Sequence, residues 1–321
     1  MDIICYLFKF GDIFVKLIVN LQNYVICDKI SRVSNKLEMK YKIFSFIGGK
    51  KRMKRMVSTG EKLEGVVFKT SNVIIQQLKK GRGRCVFIGP GTSLSVTEED
   101  IITLHDPGMT LFKNPKCIKD ATFVFYYPFE CKGLREAAKD IADFINNTLE
   151  EAFEQVLLIG HSKSGICVSY VKEEVIRKSY SITISTPFEG TLAANKLYCE
   201  KKLKNPIFIK GYNKVFSNHN VDKEIVPNSE VIEEVREMNF EVDFNIRSEI
   251  KWIWECTKPI EIVVLFFGKL IGIKGDGIVS ISSQKACKSK RNETLRCSHV
   301  TSLQKGIELY FNNEFLWRQK E

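Results

Sequence analysis

Val156-Leu157-Leu158-Ile159-Gly160-His161-Ser162-Lys163-Ser164-Gly165 is the stretch on which the reading of this chain turns. An apolar run ends in a glycine, a serine stands two places on, and small residues then open a helical pattern carried by Ile166, Val168 and Val171. Four apolar residues in a row, without alternation, suit a strand buried on both faces of a sheet. A serine at the tight turn from such a strand into a helix is the context of an exposed nucleophile. The chemistry needs that exposure, because a hydroxyl is a weak nucleophile and must reach a base.

Working outward, further apolar runs occur at Cys85–Ile88, Ala121–Tyr126, Ser181–Ser185 and Ile260–Phe267. Between the second of these and Val156, Leu134, Ala138, Ile141, Ile145 and Leu149 step by three or four residues on one helical face. Short strands alternating with longer amphipathic helices predict an α/β fold, a mostly parallel sheet flanked by helices. Val66–Phe68 and Val73–Ile75 are candidate short strands ahead of this pattern. Residues 192–258 interrupt the alternation with polar helical patches and aromatics such as Tyr198, Phe208, Tyr212, Trp252 and Trp254, which predicts a helical cap inserted between sheet strands. Those aromatics suit either the wall of an apolar binding pocket or a small core belonging to the cap itself.

Composition sets the bounds. The 321 residues are 44% hydrophobic and 27% charged, ordinary values for a globular chain, which excludes a disordered or fibrous protein. The net charge of +11 is local: Ser34 to Arg84 holds 14 Lys/Arg against 3 Asp/Glu, an excess equal to that of the whole chain. The rest is balanced, unlike a nucleic-acid binder that spreads its charge over the fold, so no nucleic-acid partner is expected. Ten scattered cysteines form no C-x-x-C, and with only four histidines no zinc constellation can be assembled. Reduced, buried thiols and a cytoplasmic setting are the expectation.

The organisation read from these patterns is an extension over residues 1–84, apolar and then basic, ahead of a catalytic body over 85–321. In the first thirty residues Asp2, Lys9, Asp12 and Lys16 interrupt any spanning segment. The spacing of Ile3-Ile4, Leu7-Phe8, Phe14-Val15, Ile18 and Leu21 predicts an amphipathic helix instead. It could dock on the body or lie on a membrane surface. The basic run Lys50–Arg55 reads first as a solvated loop, with contact to anionic lipid through residues 1–60 as the alternative.

Gly160-His161-Ser162-Lys163-Ser164 resembles the G-x-S-x-G pattern of the α/β-hydrolase family, in particular its lipase and esterase branch, with Ser164 in place of the final glycine. Three more stretches fit the resemblance. Asp276-Gly277-Ile278-Val279 looks like the segment where the family keeps its triad acid, and His299 in Ser298-His299-Val300 looks like its base. Ser, Asp, His is the chain order of this fold. Thr186-Pro187, followed by Gly190-Thr191, is similar to a segment that lipase-like members carry after the elbow helix.

The resemblance implies a carboxylic ester hydrolase using Ser162, Asp276 and His299 and no cofactor. Its substrate would be an ester with an apolar acyl chain, plausibly a lipid. One oxyanion donor would be the N–H of Lys163; the other falls to Gly91, with Thr92 second, since Pro90 has no N–H. Each such donor is worth about 3 kcal/mol to an acyl-transfer transition state. Two rival readings share these residues: a hydrolase-like binding protein without catalysis, recruited to anionic membranes, and an acyltransferase with the same triad.

Overall fold

Strand β5 (Phe153–His161) lies at the centre of an eight-stranded sheet of order β1-β2-β4-β3-β5-β6-β7-β8. The other strands are β1 (Val66–Lys69), β2 (Ile74–Lys79), β3 (Gly83–Gly89), β4 (Ala121–Tyr126), β6 (Lys178–Ile184), β7 (Glu241–Glu249) and β8 (Lys288–Arg296). In this computed structural model the described residues are 66–91, 117–128, 130–149, 153–204, 206, 209, 220–257 and 259–318. All of them fall within residues 59–321, one of the two units into which the chain divides. The helix read over the first thirty residues, the basic run and Thr92 therefore lie outside the described residues.

Strand β2 runs antiparallel to both β1 and β4, and every other pairing is parallel. Parallel neighbours need crossovers, and helices supply them. Helix α1 (Leu134–Asp143) links β4 to β5, α2 (Lys163–Glu174) links β5 to β6, and α4 (Glu230–Met238) precedes β7. Helices α5 (Pro259–Leu270) and α6 (Ile281–Lys285) lie between β7 and β8, and α7 (His299–Arg318) closes the chain. The sheet thus begins at Val66, taking in two strands from the segment read as an extension.

The pleat of β5 divides the core. Val156 and Leu158 pack with Ala138 and Ile141 of α1, Ile166 of α2 and Val235 of α4. Leu157 and Ile159 face the other way, toward Leu303 and Ile307 of α7. Each such side chain contributes about 1.5–3 kcal/mol on burial, so every β5 residue from Val156 to Ile159 anchors a layer.

Two expectations are corrected here. The run Ile260–Phe267 is not a strand but most of α5, with Pro259 at the first helical position, where its missing N–H costs nothing. A short apolar run cannot be told from a buried helix by periodicity alone. The strand that it was taken for is β7, Glu241–Glu249, which lies inside the region read as a cap. Of that region, α4 also packs on the sheet face with α1 and α2. A small separate core does form over the site end of the sheet. It joins Ala193, Cys199 and Leu203, the latter two on helix α3 (Lys196–Leu203), to Ile271 and Ile273 just past α5.

Candidate active site

Ser162 sits between β5 and α2 at φ 54°, ψ −132°, a left-handed backbone that non-glycine residues rarely take. It persists because the surroundings fix it. The Ser162 N–H donates to the carbonyl of Ile184 at 2.9 Å, and its own carbonyl accepts from Gly165 N–H at 2.9 Å. Crowding explains the small residues. A Cβ at Gly160 would fall 2.2 Å from the Ser164 carbonyl oxygen, and one at Gly165 would fall 1.7 Å from Thr186 Oγ1. Ser164, in the last place of the motif, is accommodated because Gly89 opposite has no Cβ, and its hydroxyl bonds Tyr127 Oη at 2.8 Å.

Two backbone groups flank the hydroxyl. Lys163 opens α2, where the first N–H groups have no intrahelical acceptor. Gly91, at φ 77°, comes so close that a Cβ there would meet the His161 carbonyl at 2.1 Å and Ser162 Cβ at 2.8 Å. The Lys163 side chain is turned inward, 1% exposed, with Nζ 2.9 Å from Asp222 Oδ1 and 5.4 Å from the centre of the Tyr127 ring. Glu224, nearby, is pushed up to about 7 by burial, against the Leu134 N–H that it accepts.

Asp276 and His299 come from other segments. The N–H of Ile250, one residue past β7, donates to Gly275 O at 3.0 Å and so holds the acid turn at the strand end. Asp276 is fully buried. Its Oδ1 accepts from Val279 N–H (2.7 Å) and Ile278 N–H (3.0 Å), and its Oδ2 from Ser248 Oγ (2.8 Å). His299 Nδ1 lies 2.8 Å from the same Oδ2, and the His299 N–H donates to the Asp276 carbonyl at 3.0 Å. Burial raises the Asp276 pKa, but the His299 ring and these donors outweigh it and hold the carboxyl below its ordinary range. With Nδ1 turned to a carboxylate, Nε2 is left as the basic nitrogen of His299.

Helix α5 presses on the acid turn, where a Cβ at Gly268 would meet the Gly277 carbonyl at 2.4 Å. The segment after β6 clasps the same turn. Thr191 donates its hydroxyl to the Ile278 carbonyl, Ser283 Oγ donates to Gly190 O at 2.8 Å, and Glu189 N–H donates to Ser283 Oγ at 2.9 Å.

His161 joins the two halves. Its Nδ1 lies 2.8 Å from the Pro90 carbonyl, its Nε2 lies 2.9 Å from Ser302 Oγ, and its ring centre is 4.6 Å from that of His299. Burial, reinforced by the neighbouring His299, pushes its pKa down to about 3. The neutral ring can donate from Nδ1 to Pro90 and accept at Nε2 from Ser302. His161 thus ties the Pro90–Gly91 segment to the helix that begins at His299.

The structure brings Asp276 and His299 into contact and gathers Ser162, Lys163 and Gly91 around His161, whose ring lies 4.6 Å from that of His299. Among the described residues no hydrogen bond joins Ser162 Oγ to His299. Sequence reasoning missed Ser248, Ser302 and Asp222. Ser248 is the penultimate residue of β7 and was hidden when that strand went unread.

With the geometry in hand, comparison with known proteins is informative about fold. No family model matches the sequence, and no curated protein matches it. Among solved structures, the mature lipase of Bacillus licheniformis superposes at a TM-score of 0.50 and 13% identity, covering 78% of this chain and 99% of its own. The chain has an α/β-hydrolase fold. A Pyrococcus furiosus esterase, at 13% identity and a TM-score of 0.41, covers 77% of this chain and 87% of its own. Ser162 follows β5, the Asp276 turn is tied to the end of β7 and His299 follows β8, all at the C-terminal ends of strands.

Proposed function

We propose that this chain is a serine hydrolase of carboxylic esters, with Ser162 as nucleophile, His299 as base and Asp276 as the acid that orients it. The observation that carries the reading is the buried Asp276 carboxylate, 2.8 Å from His299 Nδ1, beside a serine held at φ 54° on a strand-to-helix turn. A structural histidine would not need an acid this buried and this fully hydrogen-bonded.

The steps follow from these groups. Ser162 Oγ attacks the ester carbonyl carbon while its proton passes to His299 Nε2, and the carbonyl π pair moves onto oxygen. The oxyanion is met by the N–H groups of Lys163 and Gly91. On collapse the bond to the leaving oxygen breaks, and His299 returns its proton to the departing alcohol. Water then repeats the sequence on the acyl-enzyme, releasing the carboxylic acid and restoring Ser162. An apolar acyl chain suits the cluster of Leu192, Ala193, Phe267 and Ile271, which reaches the acid turn at Ile278.

The test is hydrolysis of p-nitrophenyl esters together with labelling by a fluorophosphonate. The wild-type chain should turn over the ester and be labelled at Ser162, and Ser162→Ala should do neither while keeping its melting temperature. Turnover retained by Ser162→Ala would remove the assignment.

A further inference from the structure

Just past the catalytic rim, Trp252 precedes and Trp254 lies within a single turn of 3-10 helix, Ile253–Glu255. Their indoles stack at 4.9 Å with planes 6° apart, yet the two residues remain 54% and 72% exposed. Stacking removes only the facing surfaces from water, so a broad apolar step stays open to solvent. Its place is fixed by Ile250, whose N–H is bonded to Gly275, the neighbour of Asp276. The step therefore stands at the end of the sheet that holds the acid.

Basic groups outnumber acidic ones around it. Lys251 and Lys274 adjoin the Ile250–Gly275 contact and are exposed. Exposed Lys269 and Leu270 end α5, with Lys269 in electrostatic reach of Cys256, two residues beyond the step. The acidic groups here are engaged. Glu255 accepts from the N–H groups of Lys251 and Trp252, and Glu249 pairs with Arg296 at 3.1 Å and Lys251 at 3.9 Å.

We propose that the Trp252–Trp254 step, with Lys251, Lys269 and Lys274, docks the catalytic rim on an anionic lipid surface. An indole is apolar with one polar N–H, the combination that settles among lipid headgroups, and lysines beside it meet the phosphates. The basic excess decides for this occupant: a second copy seated on the same step would set one net-positive patch against another. The proposal does not rest on the triad, since docking needs no turnover.

The experiment uses the full chain carrying Trp317→Phe, which leaves Trp252 and Trp254 as the only tryptophans, excited selectively at the red edge of indole absorption. Vesicles of phosphatidylcholine are compared with vesicles that also contain phosphatidylglycerol. Emission should shift to the blue and be quenched by brominated acyl chains with the anionic vesicles. Partitioning should fall at least about tenfold in Trp252→Ala/Trp254→Ala, as expected for two indoles withheld from the interface. Each of Lys251→Gln, Lys269→Gln and Lys274→Gln should weaken it by about fivefold. The emission arm stands even if the double variant folds poorly. Three results would overturn the proposal: vesicle binding without an emission change, which would place the contact elsewhere in the chain; partitioning untouched by the double tryptophan variant; or loss of a dimer in that variant with lipid binding unaltered.

Discussion

The Ser162 arm and the Asp276–His299 arm of the candidate site are built by different means. The first is one continuous stretch, Ile159 to Gly165, held by contacts that leave no room for a Cβ at Gly160 or Gly165. The second gathers Ser248, Asp276 and His299 from three segments and holds them through hydrogen bonds. Close packing resists change through the fold, because a misplaced methyl group must displace backbone. A hydrogen-bonded arm can lose a partner and keep its shape while its electrostatics fail. Damage to the first arm should therefore appear in stability, and damage to the second in rate.

The largest expected effect lies in the second arm. Asp276→Asn keeps the shape of the carboxylate but turns an amide toward His299 Nδ1, favouring the tautomer with its proton on the wrong nitrogen. In serine hydrolases with this relay, that change costs on the order of 10,000-fold in kcat. Ester turnover should fall by that order while near-ultraviolet circular dichroism stays unchanged. A loss under tenfold would show that Asp276 only props the turn.

The first arm is probed beneath the nucleophile. Lys163 is buried with Asp222 as its ion-pair partner. Removing one member of such a pair leaves an uncompensated charge and costs about 3–5 kcal/mol. Asp222→Ala should lose that much in urea unfolding, with the kcat of the remaining folded protein changed far less than in Asp276→Asn. If the order of the two effects were reversed, the contrast between the arms would fail.

The same contrast decides what could be read from sequence. The elbow was legible because strand, glycine, serine and helix are neighbours in the chain and each leaves a local mark. Strand β7 was not. Its sequence, Glu241 to Glu249, alternates charged with apolar residues, since it lies one place from the sheet edge. The edge strand β8, Lys288–Arg296, is almost wholly polar and exposes every second residue, as befits a strand that must not pair further. A rule that seeks unbroken apolar runs passes over both and selects Ile260–Phe267, whose hydrophobicity serves a helix lying on the acid turn. Asp276 and His299 were found through resemblance and chain order. Their support by Ser248 and Ser302 leaves no mark in spacing, because it depends on strand register and helix placement.

His161 belongs to both arms, which makes it the finest test of the comparison. It follows Gly160 in the packed turn, and it also holds Pro90 on one side and Ser302 on the other. Its folded pKa, about 3, lies below the unfolded value of about 6.5. Between those values the unfolded chain binds one more proton than the native one, so stability falls as pH drops through that window. The slope is about 1.4 kcal/mol per pH unit from this residue alone. His161→Gln, which stays neutral, should lose stability less steeply with acid over that range. His161→Phe keeps a ring of similar shape but neither hydrogen bond. If His161 sets the distance between oxyanion loop and base, kcat should drop about ten- to a hundredfold with KM little altered, the scale of a small misplacement of reacting groups. His161→Gln, with an amide near one of the two partners, should recover part of that loss. A shallower acid profile with unchanged kcat would make His161 a residue of the packed arm alone, and the two arms would then meet only through the substrate.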